Sequence, residues 1–335
     1  MPNERTEAGA NLEQLIGLPG LEQRMHDVDA RIEVLLRGDN SPIGPAATRV
    51  AAAGGKRLRP ALTFACAASG RPEWDRVLSA AVAVELVQVG SLVHDDIFES
   101  AAVRRGIPTI NAAEGDDFAL MAGDYILARA GQAAADAGQH VAKALALTIE
   151  ELCIGQLIET TELFDVQRSI ESQLESIKRK TAVLFACSCR VGGLCPSLED
   201  PICEALALSG ERFGMAFQLI DDVLDLVSDE ARLGKPANID IASGVYTMPV
   251  LLALDSPLAD ELSTALDARD AATAKEIVLR AETIRHVIDH ARDFANLAAD
   301  TLDLALGRQT TLRHFPSRYL DWALKHFPTD PALVA

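Results

Sequence analysis

The chain has 335 residues, of which 49% are hydrophobic and 4% aromatic, and its formal net charge at pH 7 is −18. Because a phosphate backbone demands a basic protein face, this charge argues against a nucleic-acid partner. The apolar content is ample for a core, and the abundance of alanine and leucine beside charged residues favours helices over strands.

The composition of the first residues does not indicate a targeting segment. Met1 to Leu12 is polar and charged and lacks the apolar stretch of a signal peptide. No uninterrupted apolar run reaches transmembrane length, so we expect no transmembrane segment and a cytoplasmic location. Residues 1–20 are interpreted as a flexible leader or a short first helix. Residues 21–335 are interpreted as one domain, because no linker rich in Gly, Ser or Pro divides them.

From residue 21 onward the chain reads as successive helices separated by Gly, Pro and short polar breaks. Alternating Val/Ile/Thr runs and Asn-Gly hairpin signals are missing, so no strand is predicted. The predicted fold class is therefore an all-α helical bundle. Its predicted helices cover residues 21–37, 42–53, 58–69, 73–100, 115–138, 141–163, 168–191, 199–229, 246–255, 258–268, 271–279, 281–307 and 316–326.

The first chemically informative segment, residues 54–60, reads Gly-Gly-Lys-Arg-Leu-Arg-Pro. The glycines interrupt a helix, and three cations follow at the start of the next one. A helix N-terminus exposes N–H groups and a positive dipole end, both of which favour a phosphate. In an acidic protein this local concentration of cations indicates an anion site, although solvated surface groups are the plainer alternative.

Two acidic clusters with nearly the same sequence motif lie at the C-terminal ends of two long, apolar predicted helices. In each, two adjacent aspartates are followed one helical turn later by a third acid, so the first and third acids share a helix face. A single cluster would be read as a solvated face or a cap, but two copies flanked by large apolar residues are harder to dismiss. The clusters are Asp95, Asp96 and Glu99 in the first helix and Asp221, Asp222 and Asp225 in the second.

Burying an ionised carboxylate in an apolar helix carries a large desolvation penalty unless a nearby cation offsets its charge. Mg²⁺ typically takes a few carboxylates together with the oxygens of a substrate phosphate. The two clusters therefore predict a metal-bridged phosphate or diphosphate site between two facing helices. Further cations accompany the clusters along the chain, namely Arg104 and Arg105, Lys180 beside Thr181, and Lys235.

The six cysteines lack CxxC spacing and are interpreted as buried free thiols.

These residues resemble the trans-isoprenyl diphosphate synthases, the polyprenyl synthetase family. The resemblance implies an all-α fold with a deep cavity, acid clusters on opposite walls and an apolar tunnel beneath. It also implies that an allylic diphosphate is ionised with the help of Mg²⁺, that isopentenyl diphosphate attacks, and that a homodimer forms. The matching segments are GGKRLRP (54–60), ELVQVGSLVHDDIFES with VRRGIPT (85–109), MAGDYILARA (121–130), KTAVLF (180–185), FQLIDDVLD (217–225) and GKPANIDIASGVYTMP (234–249).

The resemblance also implies individual roles. The metal ligands would be Asp95, Asp96, Glu99, Asp221, Asp222 and Asp225, with Asp222 acting through water. The residues assigned to catalysis are Asp95, Asp96, Arg104, Lys180, Asp221 and Asp222. Those contacting isopentenyl diphosphate would be Lys56, Arg59, Arg105 and Gln88. Those on the allylic side would be Arg104, Lys180, Thr181, Gln218 and Lys235.

Three departures from the family pattern concern substrate affinity rather than fold. Glu99 stands where an aspartate is usual, Gln88 where a histidine is typical, and Val245 where many members carry a lysine. Product length is read from the positions before the first cluster. Small residues at Gly90 and Ser91 leave the cavity floor open and favour products of geranylgeranyl length or longer, unless Val87 blocks the tunnel.

Two alternatives stay open on sequence alone. A terpene cyclase, or a prenyltransferase with another acceptor, would keep the acid clusters but would not need the isopentenyl diphosphate ligands. A non-catalytic partner subunit would be expected to lose one acid cluster. The set Lys56, Arg59 and Arg105 argues against the first alternative, and the survival of both clusters argues against the second.

Overall fold

The computed structural model describes residues 12–38, 41–227, 239–307 and 310–326. Within these ranges the protein is almost entirely helical, which confirms the predicted all-α class. The helices are α1 (12–16), α2 (Leu21–Arg37), α3 (Ile43–Ala52), α4 (Leu58–Ala67), α5 (Trp74–Phe98), α6 (Ile110–Glu114), α7 (Asp116–Ala137), α8 (Gln139–Thr161), α9 (Ile170–Ile177), α10 (Val183–Leu194), α11 (Asp200–Val227), α12 (Ile239–Ser243), α13 (Met248–Leu254), α14 (Ala259–Asp267), α15 (Ala271–Arg280), α16 (Ile284–Leu306) and α17 (Phe315–His326).

The chain forms two compact units, each built from separate stretches of sequence. Unit 1 draws on Met1–Ile149, Leu184–Gly210 and Thr301–Phe315. Unit 2 draws on Glu150–Val183, Glu211–Asp300 and Pro316–Ala335. The predicted division into a leader of residues 1–20 and one domain of residues 21–335 stays a prediction. Residues 12–16 of that leader are helical, with Leu12 and Ile16 buried.

Helix α5 forms the centre of unit 1. Every residue from Ala80 to Val87 is buried, including Glu85, and the helix packs most extensively against α7. Its many valines have only modest helix propensity, so burial rather than local preference maintains the helix. Each fully buried valine or leucine contributes about 1.5–3 kcal/mol relative to an exposed one. The first acid cluster lies at the C-terminal end of this rigid element.

Helix α5 is also the one described helix that is long and apolar enough to cross a membrane by length and composition alone. Of its most apolar stretch, 72% is buried inside the protein. Glu85 interrupts that stretch and is paired within unit 1. These features identify α5 as a core helix.

Unit 2 has its own apolar core. An aromatic cluster joins α11 to α17, since Tyr319 packs edge-on against Phe213 with ring centroids 5.4 Å apart and lies 5.7 Å from Phe217. Helix α13 packs against α9 and α14, and α15 packs against α12 and α14. The second acid cluster lies at the end of α11, which these contacts hold in place.

The structure differs from the sequence-based prediction most clearly at two places. A two-stranded antiparallel hairpin follows the first acid cluster, with β1 at Val103–Arg104 and β2 at Ile107–Pro108. The predicted helix 168–191 is instead α9 followed by a π-helical turn at Lys178–Ala182 and then α10. Both departures occur next to predicted site residues. The short helices α6 and α12 were not predicted either.

Candidate active site

The hairpin after the first cluster positions Arg104. Its register pairs Arg104 with Ile107, so Arg105 and Gly106 form the two-residue turn. Both have positive φ, 54° and 77°, as a type I′ turn requires. Helix α6, which follows the hairpin, is joined to α5 because Asn111 Nδ2 donates to the carbonyl oxygen of Asp96 at 3.1 Å. The chain therefore turns back over the acids that it has just left.

Arg104 pairs with two acids of the first cluster. Its Nε donates to Asp96 Oδ1 at 2.5 Å, and its Nη2 lies 3.3 Å from Glu99 Oε2. Desolvation raises the pKa of the buried Asp96 carboxyl, although Arg104 opposes this shift. The predicted first cluster and its cation are thus brought together. Asp95 is half-buried beside them, and Glu99 is exposed.

The basic residues of unit 1 lie against backbone and aromatic groups. Arg105 donates from Nη1 to the carbonyl oxygen of Gly54. The guanidinium of Arg59 lies 4.2 Å from the ring centroid of Phe185, a cation–π contact. Lys56 is half-buried. The structure therefore connects the Gly-Gly-Lys loop to the hairpin and the first turn of α4 to α10, two links that the sequence did not predict.

The residues predicted to set product length occupy different environments on α5. Val87 is fully buried, and a Cβ added to Gly90 would lie 3.1 Å from the side chain of Leu127 on α7. Gly90 is thus a position of close helix–helix packing. Ser91 is half-buried, as is Gln88, and Ser91 Oγ donates to the carbonyl oxygen of Gln88. Of the two small positions, Ser91 is the more accessible.

In unit 2 the π-helical turn presents Lys180 and Thr181. A Cβ added to Gly155 of α8 would lie 2.5 Å from the backbone nitrogen of Lys180, so only glycine permits this approach. One helical turn later on α8, Glu159 Oε1 lies 2.5 Å from Lys180 Nζ. A π-turn inside a helix is frequently found at a functional site. Here it places a cation beside an acid that sequence reasoning missed.

A chain of hydrogen bonds leads from the π-turn to the second cluster. Thr181 Oγ1 donates to Gln218 Oε1 at 2.9 Å, and Gln218 Nε2 donates to Asp222 Oδ1 at 2.8 Å. The hydroxyl thereby orients the amide, and the amide presents its donor to the carboxylate. Three predicted site residues, far apart in sequence, are thus brought into one network.

Asp222 is the most perturbed acid of the site. Among the described residues nothing donates a hydrogen bond to its buried Oδ2 atom. Desolvation raises its pKa to about 8, and the neighbouring Asp221, Glu159 and Asp225 add to that effect while Gln218 opposes it. A buried carboxyl with an unpartnered oxygen among other acids is the environment that a bound cation would relieve.

These donors fit a hard divalent cation in their chemistry. The described residues hold no preassembled set of three metal-ligating side chains. A cation at either cluster would therefore take its remaining ligands from water or a substrate, as Mg²⁺ commonly does. Asp221 is exposed and Asp225 half-buried, so both are within reach of solvent-borne ligands.

Several predictions concern residues away from these networks. Lys235 lies outside the described residues. Val245 is half-buried, and its backbone N–H donates to the carbonyl oxygen of Asp240 at 2.8 Å. Five of the six cysteines are buried free thiols as predicted, but Cys153 is exposed. Burial raises the pKa of both Cys187 and Cys195 to about 11.

The chain was compared with known proteins at the level of sequence. The sequence model described as polyprenyl synthetase matches residues 42–281. A protein named heptaprenyl diphosphate synthase component 2, from Geobacillus stearothermophilus, is 40% identical over 68% of this chain and 71% of its own length. A geranylgeranyl diphosphate synthase from Saccharolobus solfataricus is 31% identical over 83% of this chain and 88% of its own length.

Solved structures with a similar fold also include a polyprenyl synthase. A polyprenyl synthase from Caulobacter crescentus CB15, solved in complex with calcium and isoprenyl diphosphate, superposes with a TM-score of 0.86. The superposition covers 95% of this chain and 98% of the other, at 29% sequence identity. Residues 42–281, the segment that the polyprenyl synthetase model matches, contain both acid clusters and every described residue of the candidate site.

Proposed function

Because the chain belongs to the polyprenyl synthetase family and is a trans-prenyltransferase that elongates prenyl diphosphates, we propose a specific reaction for it. It joins isopentenyl diphosphate head to tail with an allylic diphosphate, depends on Mg²⁺, and makes a product of geranylgeranyl length or longer. The observation that carries this proposal is the pair of acid clusters, each beside a cation suited to diphosphate. Arg104 accompanies the first and Lys180 accompanies the second.

The proposed ligands of Mg²⁺ are the carboxylates of the two clusters. The unpartnered Oδ2 of Asp222 and the raised pKa of that carboxyl support this assignment. The presence of calcium and isoprenyl diphosphate in the Caulobacter polyprenyl synthase supports it as well. When bound, the metal supplies Lewis-acid stabilisation of the negative charge on the departing diphosphate.

The side chains around the clusters bind and orient the allylic diphosphate. Arg104 offers a planar fork of donors that suits phosphate oxygens, and Lys180 offers a point charge. In the substrate-free protein these cations are paired with Asp96 and Glu159. We propose that the diphosphate takes over part of these pairings, so that the cations face the charge that grows as the C–O bond breaks.

A second diphosphate needs a second set of cations. We assign isopentenyl diphosphate to Lys56, Arg59 and Arg105, with Gln88 as a hydrogen-bonding neighbour. Arg59 is supported from one side by the Phe185 ring, and Arg105 is held by the Gly54 carbonyl oxygen. Groups held in place before the substrate arrives lose less conformational freedom on binding.

Product length is assigned to the α5 positions before the first cluster. Ser91 is small and half-buried, which supports an open path for a growing chain. The names of the relatives reported above, a heptaprenyl and a geranylgeranyl diphosphate synthase, cover the proposed range. A Ser91→Phe variant is expected to shorten the product by blocking that path. Ser91→Ala is its size-matched control and should leave the length unchanged.

The decisive experiment is a product assay on the purified protein. It supplies Mg²⁺, radiolabelled isopentenyl diphosphate and, separately, allylic diphosphates of five, ten, fifteen and twenty carbons, followed by chain-length chromatography. Label in longer allylic products, lost in Asp95→Ala and Asp221→Ala, is expected. Diphosphate release from an allylic substrate without incorporation of isopentenyl diphosphate would instead favour a cyclase or another acceptor.

For assembly and location we propose a cytoplasmic homodimer. Leu120 and Met121 on α7 are 47% and 50% exposed, which supports an apolar contact between copies. Six free cysteines suit a reducing compartment. Because the relative from Geobacillus stearothermophilus is named as component 2 of a heptaprenyl diphosphate synthase, the assay should also be run with cell extract. Activity only after addition of extract would indicate a required second component.

A further inference from the structure

Arg57, which neither the metal nor the diphosphate assignments use, has a buried side chain surrounded by acceptors. Its Nη1 donates to Glu85 of α5, and its Nη2 lies 2.7 Å from Asp29 Oδ1 of α2. The same Nη2 donates to the carbonyl oxygen of Ala51 at 2.9 Å. The side chains of Arg57 and Glu85 are each only 6% exposed. One guanidinium thus joins two helices to the end of α3.

The backbone at Arg57 needs this support. Its φ is 49°, in the left-handed region that residues other than glycine rarely adopt. Arg57 lies between Lys56 and the start of α4, where Arg59 follows two residues later. A strained residue persists where its surroundings over-determine it, and here three acceptors do so. The orientation of Lys56 relative to Arg59, which lies in the first turn of α4, therefore depends on the Arg57 side chain.

Glu85 also acts on the neighbouring Arg105. Although Arg105 is exposed as a residue, partial desolvation lowers the pKa of its guanidinium, and the charges of Arg57 and Arg104 lower it further. Glu85 opposes this shift, because its negative charge faces both Arg57 and Arg105. The Arg105 guanidinium also lies close to the Gly-Gly-Lys loop: a Cβ added to Gly55 would be only 2.9 Å from it. Glu85 therefore lets cations gather that would otherwise repel one another.

We propose that Glu85 and Arg57 are positioning residues, whose buried pair holds Lys56, Arg59 and Arg105 in the arrangement that receives one diphosphate. This inference rests on the proposed function, under which that diphosphate belongs to isopentenyl diphosphate. Both side chains of the pair are buried, and the proposed function assigns neither of them to a substrate. Glu85 lies one helical turn before Gln88 on α5, so the same helix carries the pair and a proposed substrate neighbour.

The test compares Glu85→Gln with wild type. Glutamine keeps the size of the side chain but removes the charge that balances Arg57 and Arg105. We expect the KM for isopentenyl diphosphate to rise about ten- to a hundredfold, as misplacement of binding groups by about 1 Å does. The KM for the allylic diphosphate should stay within about twofold. Glu85→Asp, which keeps the charge, should restore part of the loss.

A matched control separates positioning from general stability. Asp303→Asn breaks the partly buried Arg313–Asp303 ion pair of the same unit, whose atoms lie 2.8 Å apart. This control should lower Tm without changing either KM. If Glu85→Gln does not fold, Arg57→Lys tests the same idea, because an ammonium keeps the charge but cannot reach all three acceptors. A fall in Tm with an unchanged KM for isopentenyl diphosphate in these variants would overturn the proposal.

Binding of inorganic diphosphate, measured by calorimetry without any turnover, distinguishes this inference from the proposed function. If wild type incorporates no isopentenyl diphosphate with any primer, the proposed function fails, but the binding measurement still tests the pair. Weaker binding by Glu85→Gln than by Asp303→Asn supports positioning. Equal binding by the two variants refutes it.

Discussion

The two acid clusters have nearly the same sequence motif but different electrostatic surroundings. In the first, Asp96 accepts a hydrogen bond from the guanidinium of Arg104 at 2.5 Å. In the second, Asp222 accepts one from the neutral amide of Gln218 at 2.8 Å. Both carboxyl groups have raised pKa values because of desolvation, but only that of Asp222 reaches about 8.

The difference shows that a repeated motif does not guarantee a repeated environment. A charged partner compensates burial far better than a dipole does, and Arg104 gives Asp96 such a partner without any bound cation. In the second cluster the Asp222 carboxyl, whose pKa is raised to about 8, has no charged partner of this kind and gains more when a cation arrives. Dependence on the metal should therefore be stronger for the second cluster.

The largest effect is expected from Asp96→Asn and Asp222→Asn. Each removes a proposed metal ligand and should reduce kcat by about a hundred- to a thousandfold, a typical loss when one group that stabilises developing charge is removed. Their effects on stability should have opposite signs. Asp96→Asn leaves Arg104 without its main partner and should cost about 1–3 kcal/mol. Asp222→Asn removes a buried acid and should stabilise the metal-free protein at pH 8.

Paired measurements of kcat and of urea unfolding in EDTA check this comparison. Glu204→Gln is a suitable control, because it breaks an exposed ion pair with Arg190. Such surface pairs contribute about 0–1 kcal/mol, so its activity and stability should stay close to wild type. Stability changes of the same sign in the two aspartate variants would contradict the difference between the clusters.

The next largest effect concerns Arg104. Arg104→Gln removes the guanidinium from the first cluster and should lower kcat/KM for the allylic diphosphate about ten- to a hundredfold, the value of one or two charge-assisted hydrogen bonds. It should also make the first cluster behave like the second, with a larger gain in Tm on addition of Mg²⁺. Arg104→Lys should show a smaller gain. An unchanged response to Mg²⁺ would argue that Arg104 does not compensate Asp96.

The third prediction is a dependence of stability on pH. The pKa of Asp222 in the metal-free fold is about 8, whereas an aspartate in the unfolded chain titrates near 3.9. Between these values the folded state binds more protons, so this group's contribution to the free energy of unfolding falls as pH rises from about 4 to about 8. Tm measured in EDTA should show this fall, and Mg²⁺ should reduce it.

Asp222→Asn provides the control for that measurement. The variant cannot titrate at this position and should lack this part of the fall in Tm. Asp96→Asn should change the slope less, because the pKa of Asp96 is raised to a smaller extent. Identical pH profiles for wild type and Asp222→Asn would refute the assignment.

The smallest effect is expected from Thr181→Val. The hydroxyl donates to Gln218 Oε1 at 2.9 Å and thereby keeps the amide N–H directed at Asp222. Loss of one such hydrogen bond costs about 1 kcal/mol, so kcat/KM should fall by roughly fivefold. Thr161→Val on the exposed side of α8 is the matched control, since Thr161 bonds only to its own helix. Equal effects of the two variants would contradict the role of the relay.

Much of the architecture was predictable from sequence because apolar periodicity and Gly or Pro breaks act locally. The long helices α5 and α11 were predicted within about two residues at each end, a precision expected for strongly periodic segments. The hairpin at 103–108 was missed, because its turn uses Arg105 rather than asparagine or aspartate before glycine. The π-turn at 178–182 was missed because no local signal distinguishes it from an α-helix.

For the candidate site, too, some features could be predicted from the sequence and others depended on the tertiary structure. The sequence by itself predicted both acid clusters and their candidate cations, since repeated carboxylates in apolar helices demand compensation, but it did not predict Glu159. The tertiary structure alone decided which cation faces which acid. Arg104 reaches Asp96 through a turn with positive φ, and Glu159 reaches Lys180 because Gly155 lets two segments approach closely. Such pairings depend on distances between segments far apart in sequence, and local propensity carries no information about them.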